Sequence, residues 1–237
     1  FIVRAFHHGA ILVNKNAGVS KPSDLAGKKV GVNRGYTVTT GVWARGIMQD
    51  EYGLDLTQVT WVLSGDEHVK EYKAPSNVVP IEAGKKMEDM LICGELAAAI
   101  SVSVDHPVVE VLIPDATEAG FAALKRTGHY PINHLIVIKD ELIAAQPGLA
   151  TDVFNTFAEA KQLYVNDLKA GKVELKGDAK MHQRVMDITG GDPMPYGIAA
   201  NRMNVENLIE HAKAQKILTG NERIEDLFAA ETLDLAG

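Results

Sequence analysis

Short apolar runs with β-strand character alternate along this sequence with longer segments of helical periodicity, and this alternation strongly constrains the fold. The predicted strands cover residues 10–14, 28–32, 59–63, 97–101, 107–113 and 134–138. The predicted helices cover residues 37–52, 84–96, 119–125 and 140–168, the last interrupted at Pro147, and two more flank the loop 190–197. Strands separated by helices are typical of α/β proteins with parallel strands, and we predict that fold class.

Length and charge exclude several classes of protein. The chain has 237 residues, which is enough for one large domain or two lobes. Its 24 lysines and arginines are scattered among 31 acidic residues, for a net charge of −7, so we expect no nucleic-acid partner. No apolar run reaches the roughly eighteen residues of a transmembrane helix, so we also expect no membrane span.

The cellular location is predicted from the cysteine content and from the first residues. The single cysteine, Cys93, excludes an intrachain disulfide, which suits a cytoplasmic protein. The sequence opens at Phe1 with strand-like residues and without a methionine, so we expect an N-terminal segment to precede it. A signal peptide in that segment would place the protein in the periplasm, which stays the alternative.

Several motifs of well-known chemistry are absent. The sequence contains no Walker phosphate loop and no G-x-S-x-G elbow, and Gly31 and Gly35 do not form a G-x-G-x-x-G fingerprint. It also lacks H-E-x-x-H, and one cysteine cannot build a cysteine zinc site, although histidine and carboxylate sites remain open. Polar clusters beside the predicted strands are the remaining candidates for a functional site.

The segment VGVNRGYTVTT passes from a predicted strand through a polar loop into a predicted helix. Its polar side chains include those of Arg34, Tyr36, Thr37, Thr39 and Thr40. One interpretation is a helix N-cap by Thr37 or Thr39 with further surface hydroxyls. The other is a carboxylate site, because α/β folds bind ligands at the carboxyl ends of strands and helix N-termini attract anions. The residues alone favour neither.

Arg4, His7 and His8 lie in the segment RAFHHG, directly before a predicted strand. A histidine pair in this position is more often a surface feature or a satisfied part of the core than a functional site. Because adjacent residues of a strand face opposite sides of a sheet, we expect that His7 and His8 do not act together.

Two later loops carry further polar side chains. The segment TGHYPINH brings His129, Asn133 and His134 to the entry of a predicted strand, where a polar crossover loop is the simpler interpretation. In DPMPYG, two prolines restrain the backbone around Asp192 and Tyr196, and a rigid loop serves structure as often as function. None of these clusters alone establishes a site.

The segment ILVNKNAGVSKPSDLAGKKVGV resembles the passage between the lobes of type II periplasmic binding proteins. GKKMEDMLICGELAAAI is similar to the next helix and strand of that fold, and HLIVIKDELIAAQPGLATDVFNTFAEA to the return into the first lobe. The resemblance implies an α/β fold of two lobes with a ligand cleft between them. Residues 1–20 and 128–237 would form the first lobe, incomplete at its N-terminal end, and residues 21–127 the second.

More specific phrases are similar to the 4,5-dihydroxyphthalate decarboxylase family. In the order of the family pattern, they are RAFHHGAILVN, GVWARGIMQDEYGL, RTGHYPINHLIVI, DPMPYGIAANR and EDLFA. The sequence departs from that pattern at Met194, where the family has an aromatic residue, and at the His7-His8 pair, whose second residue follows a variable position. The N-terminal segment of the family, which would complete the first lobe, is also missing from it. Five phrases in register are far more specific than any one of them.

This resemblance implies a lyase of aromatic catabolism that removes CO2 from a hydroxylated aromatic carboxylate without an organic cofactor. A divalent metal that bridges catechol oxygens stays open, although the sequence contains no ligand motif for one. His7, His8 or His134 would be the general acid that protonates the ring, and Asp192 or Tyr196 the partner of the phenol. The remaining residues of the clusters would bind the substrate: Arg4, Arg34, Tyr36, Thr37, Thr39, Thr40, His129 and Asn133.

The alternative interpretation is a solute-binding protein of an ABC-type uptake system for an aromatic or other carboxylate, with a membrane permease as partner. The fold does not distinguish the two, because one scaffold serves both roles. A ligand-sensing domain of a regulator has less support, since the sequence contains no DNA-binding segment. A homo-oligomer is compatible with each interpretation.

Overall fold

A computed structural model of the chain describes residues 2–67, 69 and 71–237. The chain divides into two compact units. Unit 1 comprises Phe1–Ala5, Phe121–Asn207 and Gly220–Gly237, and unit 2 comprises Phe6–Gly120 and Leu208–Thr219. The two-lobed binding-protein architecture, with residues 1–20 and 128–237 in one lobe and 21–127 in the other, stays a prediction.

Helices are interspersed among the strands of the described residues, which confirms the α/β class. The strands are β1 (Val3–Arg4), β2 (Ile11–Asn14), β3 (Lys29–Val32), β4 (Thr60–Leu63), β5 (Val78–Pro80), β6 (Ala98–Ile100), β7 (Val109–Val111) and β8 (Ile132–His134). The helices are α1 (Thr39–Tyr52), α2 (Met87–Cys93), α3 (Ala116–Thr127), α4 (Asp140–Ala145), α5 (Leu149–Lys169), α6 (Gly177–Thr189) and α7 (Ile198–Ala214).

Unit 2 contains a mixed sheet with the strand order β5-β4-β3-β6-β2-β7. Strands β5, β4, β3 and β6 are parallel neighbours, whereas β2 runs antiparallel to both β6 and β7. The predicted parallel arrangement is therefore correct for the first four strands and wrong for β2 and β7. The apolar pattern of a buried strand does not indicate whether its neighbours run parallel or antiparallel to it, because both kinds of pairing satisfy its backbone N–H and C=O groups.

The sheet of unit 2 is covered by apolar side chains on both faces. Successive strand residues point to opposite sides, so Trp61 of β4 belongs to one buried core and Val62 to a second. Helix α1 contributes Ala44 to the first core, and helix α2 contributes Leu91 to the second. Burial on both faces explains why these strands are nearly continuous apolar runs in the sequence.

Unit 1 contains the short antiparallel pair β1–β8, in which Val3 lies opposite His134. The prediction of a strand over residues 134–138 was wrong, because β8 ends at His134 and Val137 is 89% exposed. Residues 135–138 are all apolar and three of them are β-branched, but a strand also needs a neighbour that pairs with its backbone. Among the described residues no strand pairs with this run.

The observed ends of the helices agree with their predicted ends more closely than the observed strands agree with the predicted ones. Helix α1 ends at Gly53, whose φ of 67° is a left-handed conformation that glycine adopts without strain. The predicted interruption at Pro147 separates α4 from α5, and α6 and α7 flank the loop 190–197 as predicted. No helix of the described residues is long and apolar enough to cross a membrane.

Candidate functional site

The predicted site residues are divided between the two units. Unit 2 holds His7, His8, Arg34, Tyr36, Thr37, Thr39 and Thr40, and unit 1 holds Arg4, His129, Asn133, His134, Asp192 and Tyr196. The polar contacts of the two sets differ in chemistry. In unit 2 a loop presents N–H and hydroxyl donors to a carboxylate, and in unit 1 a buried lysine forms an ion pair.

In unit 2, the loop after β3 is held at the edge where the carboxyl ends of three parallel strands meet. The Asn33 side-chain amide donates to the Ser101 carbonyl beyond β6, at 2.8 Å, and the Ser64 hydroxyl beyond β4 donates to Asn33 Oδ1, at 3.1 Å. The exposed Arg34 has a left-handed φ of 67°, and its N–H donates to Ser64 Oγ at 2.8 Å. This edge is where α/β sheets bind ligands.

The donors of this loop converge on the carboxylate of Glu67. The N–H of Tyr36 donates to Oε1, and the N–H and hydroxyl of Thr37 donate to Oε2 at 3.0 Å and 2.7 Å. Gly35 makes room for the contact, because a Cβ there would lie 2.5 Å from Glu67 Oε2. The loop therefore receives a carboxylate, and the carboxylate that it holds is the protein's own.

The alternative interpretation of the loop, a helix N-cap by Thr37 or Thr39, is wrong. The N-cap of α1 is Val38, which makes no side-chain capping bond. Thr37 precedes the cap and uses its hydroxyl on Glu67, while Thr39 and Thr40 lie in the first turn of the helix. The threonine hydroxyl is thus used for anion binding and not for helix capping.

A buried cation adjoins the carboxylate loop. The guanidinium of Arg45 is fully buried and lies 3.7 Å from the centroid of the Tyr36 ring. Its Nε donates to Gln215 Oε1 at 2.8 Å, and a terminal nitrogen donates to the Tyr36 carbonyl. Burial lowers the pKa of Arg45 to about 10, which still leaves the group charged at neutral pH.

Two tyrosine rings, those of Tyr36 and Tyr72, also belong to this part of unit 2. Tyr36 is 2% exposed, so its ring belongs to the core and only its backbone N–H reaches the carboxylate. The Tyr72 ring lies parallel to it, with centroids 6.4 Å apart. Burial, with smaller contributions from Tyr36 and Glu67, raises the pKa of Tyr72 to about 12. Within the described part of the chain, the Tyr72 hydroxyl is buried without a hydrogen-bond partner.

The two adjacent histidines of unit 2 are both buried, at 3% exposure for His7 and 2% for His8. The prediction that they face opposite sides of a sheet was wrong, because His8 begins a 3₁₀ turn, His8–Ala10. His8 Nε2 lies 3.3 Å from both carboxylate oxygens of Glu51, and the described residues provide no hydrogen-bond partner for its buried Nδ1. With Nε2–H donated to Glu51, Nδ1 is the ring atom left to exchange a proton.

In unit 1, Arg4 is held by acceptors of its own unit. Its guanidinium donates to the carbonyls of Tyr130 and Pro195, each at 3.0 Å, and to Asn201 Oδ1. Burial lowers the pKa of Arg4 to about 10. These bonds connect β1 to Tyr130 before β8, to the loop that contains Pro195 and to helix α7, and a substrate-binding role for Arg4 stays a prediction.

A buried ion pair lies beside the same loop. Lys161 of α5, whose side chain is 3% exposed, contacts Asp192, and its Nζ lies 4.8 Å from the centroid of the Tyr196 ring. Asp192 Oδ1 also accepts the N–H of Met194 at 2.7 Å. Burial, and to a smaller extent Asp192, raises the pKa of Tyr196. Asp192 and Tyr196 are thus brought together, as their spacing in DPMPYG suggests.

Sequence reasoning missed Lys161, Arg45 and Glu67. Lys161 could have been found, because it lies on the buried side of α5 with Val165 and Leu168, at a helical spacing where a lysine is rare. Arg45 could have been found in the same way, because it is the one charged residue of the segment GVWARGIM, which is buried throughout in α1. Glu67 has none, since it is one of several acidic residues in a polar segment.

The last predicted cluster lies around β8. His134 ends this strand and is exposed, and its carbonyl accepts the N–H of Ile2 at 3.0 Å. Asn133 is half-buried in the same strand, and the N–H of His129 donates to the Thr127 hydroxyl at 3.1 Å. Among the described residues, no three histidine, cysteine or acidic side chains are grouped so as to hold a metal ion.

An apolar groove of about 720 Å³ lies in unit 1. Its lining includes Val137, Phe154, Phe157 and Phe228, and Tyr196 forms part of its wall. The rings of Phe154 and Tyr196 meet edge to face, with centroids 6.2 Å apart. The Tyr196 ring therefore contacts both this groove and the Lys161 ammonium.

Comparison with known proteins finds two curated relatives that share one name with each other. No protein-family model matches this chain. The chain is 26% identical over 250 residues to 4,5-dihydroxyphthalate decarboxylase of Comamonas testosteroni, an alignment that covers 99% of this chain and 76% of the relative. It is 33% identical over 128 residues to 4,5-dihydroxyphthalate decarboxylase of Pseudomonas putida, which covers 48% of this chain and 49% of that relative. Both relatives carry the name of the family that the sequence phrases resemble.

Proposed function

We propose that this chain is a carboxy-lyase that removes CO2 from a hydroxylated aromatic carboxylate of the 4,5-dihydroxyphthalate kind. The observation that carries the proposal is the similarity, along 99% of the chain, to a protein named 4,5-dihydroxyphthalate decarboxylase. Groups that such a substrate needs support it: a loop that receives a carboxylate, a buried histidine with an unpartnered ring nitrogen, and an apolar groove with a tyrosine in its wall.

The chemistry defines what the protein must supply. A proton is added to the ring carbon that bears the departing carboxylate, the bond to that carboxylate breaks as CO2 leaves, and its electron pair returns to the ring. A hydroxyl para to this carbon assists by donating electron density while its proton is partly withdrawn. The protein must therefore provide one general acid, one hydrogen-bond acceptor for the phenol and an anchor for the carboxylate that remains.

We assign the anchor to the N–H groups of Tyr36 and Thr37 together with the Thr37 hydroxyl. These donors already hold a carboxylate in the geometry that an external one would need. Arg34, Thr39 and Thr40 flank the same loop and belong to the proposed binding site, where the N-terminus of α1 favours a negative charge.

Among the histidines, His8 fits the general acid best. It is buried, its Nε2 is oriented by Glu51, and its Nδ1 has no hydrogen-bond partner in the described part of the chain. His7 is equally buried and stays an alternative acid. His134 is the weakest of the three, because its exposed side chain is not enclosed in a site that excludes water.

Asp192 is the better candidate for the partner of the phenol. Its carboxylate accepts hydrogen bonds, whereas burial raises the pKa of Tyr196 and keeps that hydroxyl protonated. The Tyr196 ring instead forms part of the wall of the apolar groove, a position that suits packing against an aromatic ring.

Turnover of 4,5-dihydroxyphthalate tests the proposal directly. We expect the protein to release one CO2 per substrate and, in deuterated water, to place one deuterium on the vacated ring carbon. His8→Gln is expected to abolish turnover, whereas the matched control His106→Gln, at an exposed histidine, is expected to retain it. Absence of CO2 release from a folded protein that binds the substrate would overturn the proposal.

That last outcome would instead support a solute-binding protein. The observation that favours this second candidate is the carboxylate loop itself, which can hold a ligand without any acid or phenol partner. Cytoplasmic location and assembly into a homo-oligomer stay predictions under the first candidate, and a permease partner under the second.

A further inference from the structure

We propose that the carboxylate of Glu67 is an internal occupant of the anchor formed by Tyr36 and Thr37, and that a ligand binds there by displacing it. Only the identity of that ligand, an aromatic carboxylate, rests on the function proposed above. Glu67 thereby sets the affinity of the site without touching the reacting carbon.

The contacts of Glu67 are those of a bound carboxylate ligand. Both of its oxygens accept, Oε1 from the Tyr36 N–H and Oε2 from the N–H and hydroxyl of Thr37. Charge-assisted bonds of this kind are the stronger class of hydrogen bond. A carboxylate supplied by a small molecule can make the same three bonds, since they require only two oxygens on one carbon.

The loop is shaped for a carboxylate and not merely for the end of a helix. Gly35 leaves the space that Glu67 fills, because a Cβ there would lie 2.5 Å from its Oε2 and 2.9 Å from its Cα. Thr37 lies before the N-cap, so helix α1 does not require its hydroxyl. The Thr37 hydroxyl therefore serves the carboxylate, and Gly35 admits both the carboxylate and the backbone that carries it.

The buried guanidinium of Arg45 explains why the occupant must carry a negative charge. Its hydrogen-bond acceptors are the Gln215 side chain and the Tyr36 carbonyl, both neutral. One terminal nitrogen is buried with no partner among the described residues, against Gly41 in the first turn of α1. A buried cation without a paired anion is costly, and the charge of Glu67 acts favourably on Arg45. A ligand carboxylate that displaces Glu67 preserves this compensation, whereas a neutral ligand does not.

Displacement of Glu67 leaves the fold intact. Its carboxylate is half-buried, and the bonds that it accepts come from loop residues, not from the ladders of the sheet. Rotation of one side chain therefore vacates the anchor while β3, β4 and β5 stay paired. The backbone N–H groups left behind are immediately satisfied by the incoming ligand.

The expected effect follows from competition. A ligand binds only to molecules whose anchor is vacant, so its apparent affinity falls by the vacant fraction. If Glu67 occupies the anchor in about nine of ten molecules, removal of its side chain tightens binding about tenfold, which is about 1.4 kcal/mol. Glu67→Gln keeps the size but weakens the bonds, so its gain is expected to be smaller than that of Glu67→Ala.

The test measures phthalate binding by calorimetry to the whole protein and to these two variants. Glu71→Gln is the matched control, because it removes the same charge from an exposed residue of the same segment. We expect phthalate affinity to rise in the order wild type, Glu67→Gln, Glu67→Ala, and to stay within twofold of wild type in Glu71→Gln. Dimethyl phthalate, which has no carboxylate, is expected to show no such gain.

Two results would overturn the inference. Unchanged or weaker phthalate binding in both Glu67 variants, with native circular dichroism, would make Glu67 a structural brace of the loop. An equal gain in Glu71→Gln would assign the effect to net charge. Neither result depends on CO2 release, so the inference can fail while the proposed decarboxylation stands, and the reverse also holds.

Discussion

Removing the charge of Asp192 is expected to destabilise the protein by about 3 kcal/mol, through the lysine that it leaves behind. Loss of one partner from a buried ion pair costs about 3–5 kcal/mol, because the other charge stays buried without compensation. Lys161 is 3% exposed and Asp192 is 24% exposed, which places the expected cost near the lower end. Asp192→Asn isolates this effect, since its side-chain oxygen can still accept the Met194 N–H.

A double-mutant cycle separates this ion pair from other effects of the substitution. Lys161→Met is expected to cost about 1 kcal/mol or less, because methionine suits the buried side of α5 and Asp192, which is 24% exposed, keeps its contact with water. The double variant Asp192→Asn/Lys161→Met should therefore be within about 1 kcal/mol of wild type, a coupling of about 3 kcal/mol.

Urea unfolding and calorimetry measure these differences. For a chain of this length, a loss of about 3 kcal/mol corresponds to a melting temperature lower by roughly 6–12 °C. Glu174→Gln is the control, because it breaks an ion pair with Lys176 in which both side chains are exposed, and we expect no measurable change. If Asp192→Asn costs as much in the Lys161→Met background as in wild type, the buried charge is not the cause.

Three further predictions concern the proposed site. Alanine at His7 or His8 should abolish CO2 release with native circular dichroism, and wild-type rates in both variants would reject this assignment. Alanine at Thr39 or Thr40 should weaken phthalate binding about fivefold, as for one lost hydrogen bond; equal affinity in equilibrium dialysis would return these threonines to a purely helical role. Tyr72→Phe should not reduce stability at neutral pH, because the hydroxyl has no partner within the described residues. Between pH 10 and 12 an unfolded Tyr72 ionises while the folded one, with a pKa of about 12, stays protonated, so wild-type stability falls as the pH rises. The variant should lose less, and a tyrosinate absorbance titration that shows Tyr72 ionising near pH 10 would contradict this.

Most secondary structure could be predicted from local pattern and from residues that end elements. Gly53 and Pro147 end their helices where expected, because the conformational limits of glycine and proline act locally. Strand pairing was less predictable. Residues 135–138 have the composition of a strand, yet a strand exists only where another backbone pairs with it, and the described residues supply no such neighbour.

By itself, the sequence determined that a polar loop follows a buried strand and precedes a helix, a combination suited to an anion. Only the tertiary structure decided which anion lies there, since Glu67 is 30 residues from Thr37 in the chain. The same holds for Lys161 and Asp192, 31 residues apart, and for Arg45 and Gln215, 170 residues apart. Periodicity reports which side of an element is buried, but a polar contact between distant segments depends on how the chain folds back on itself.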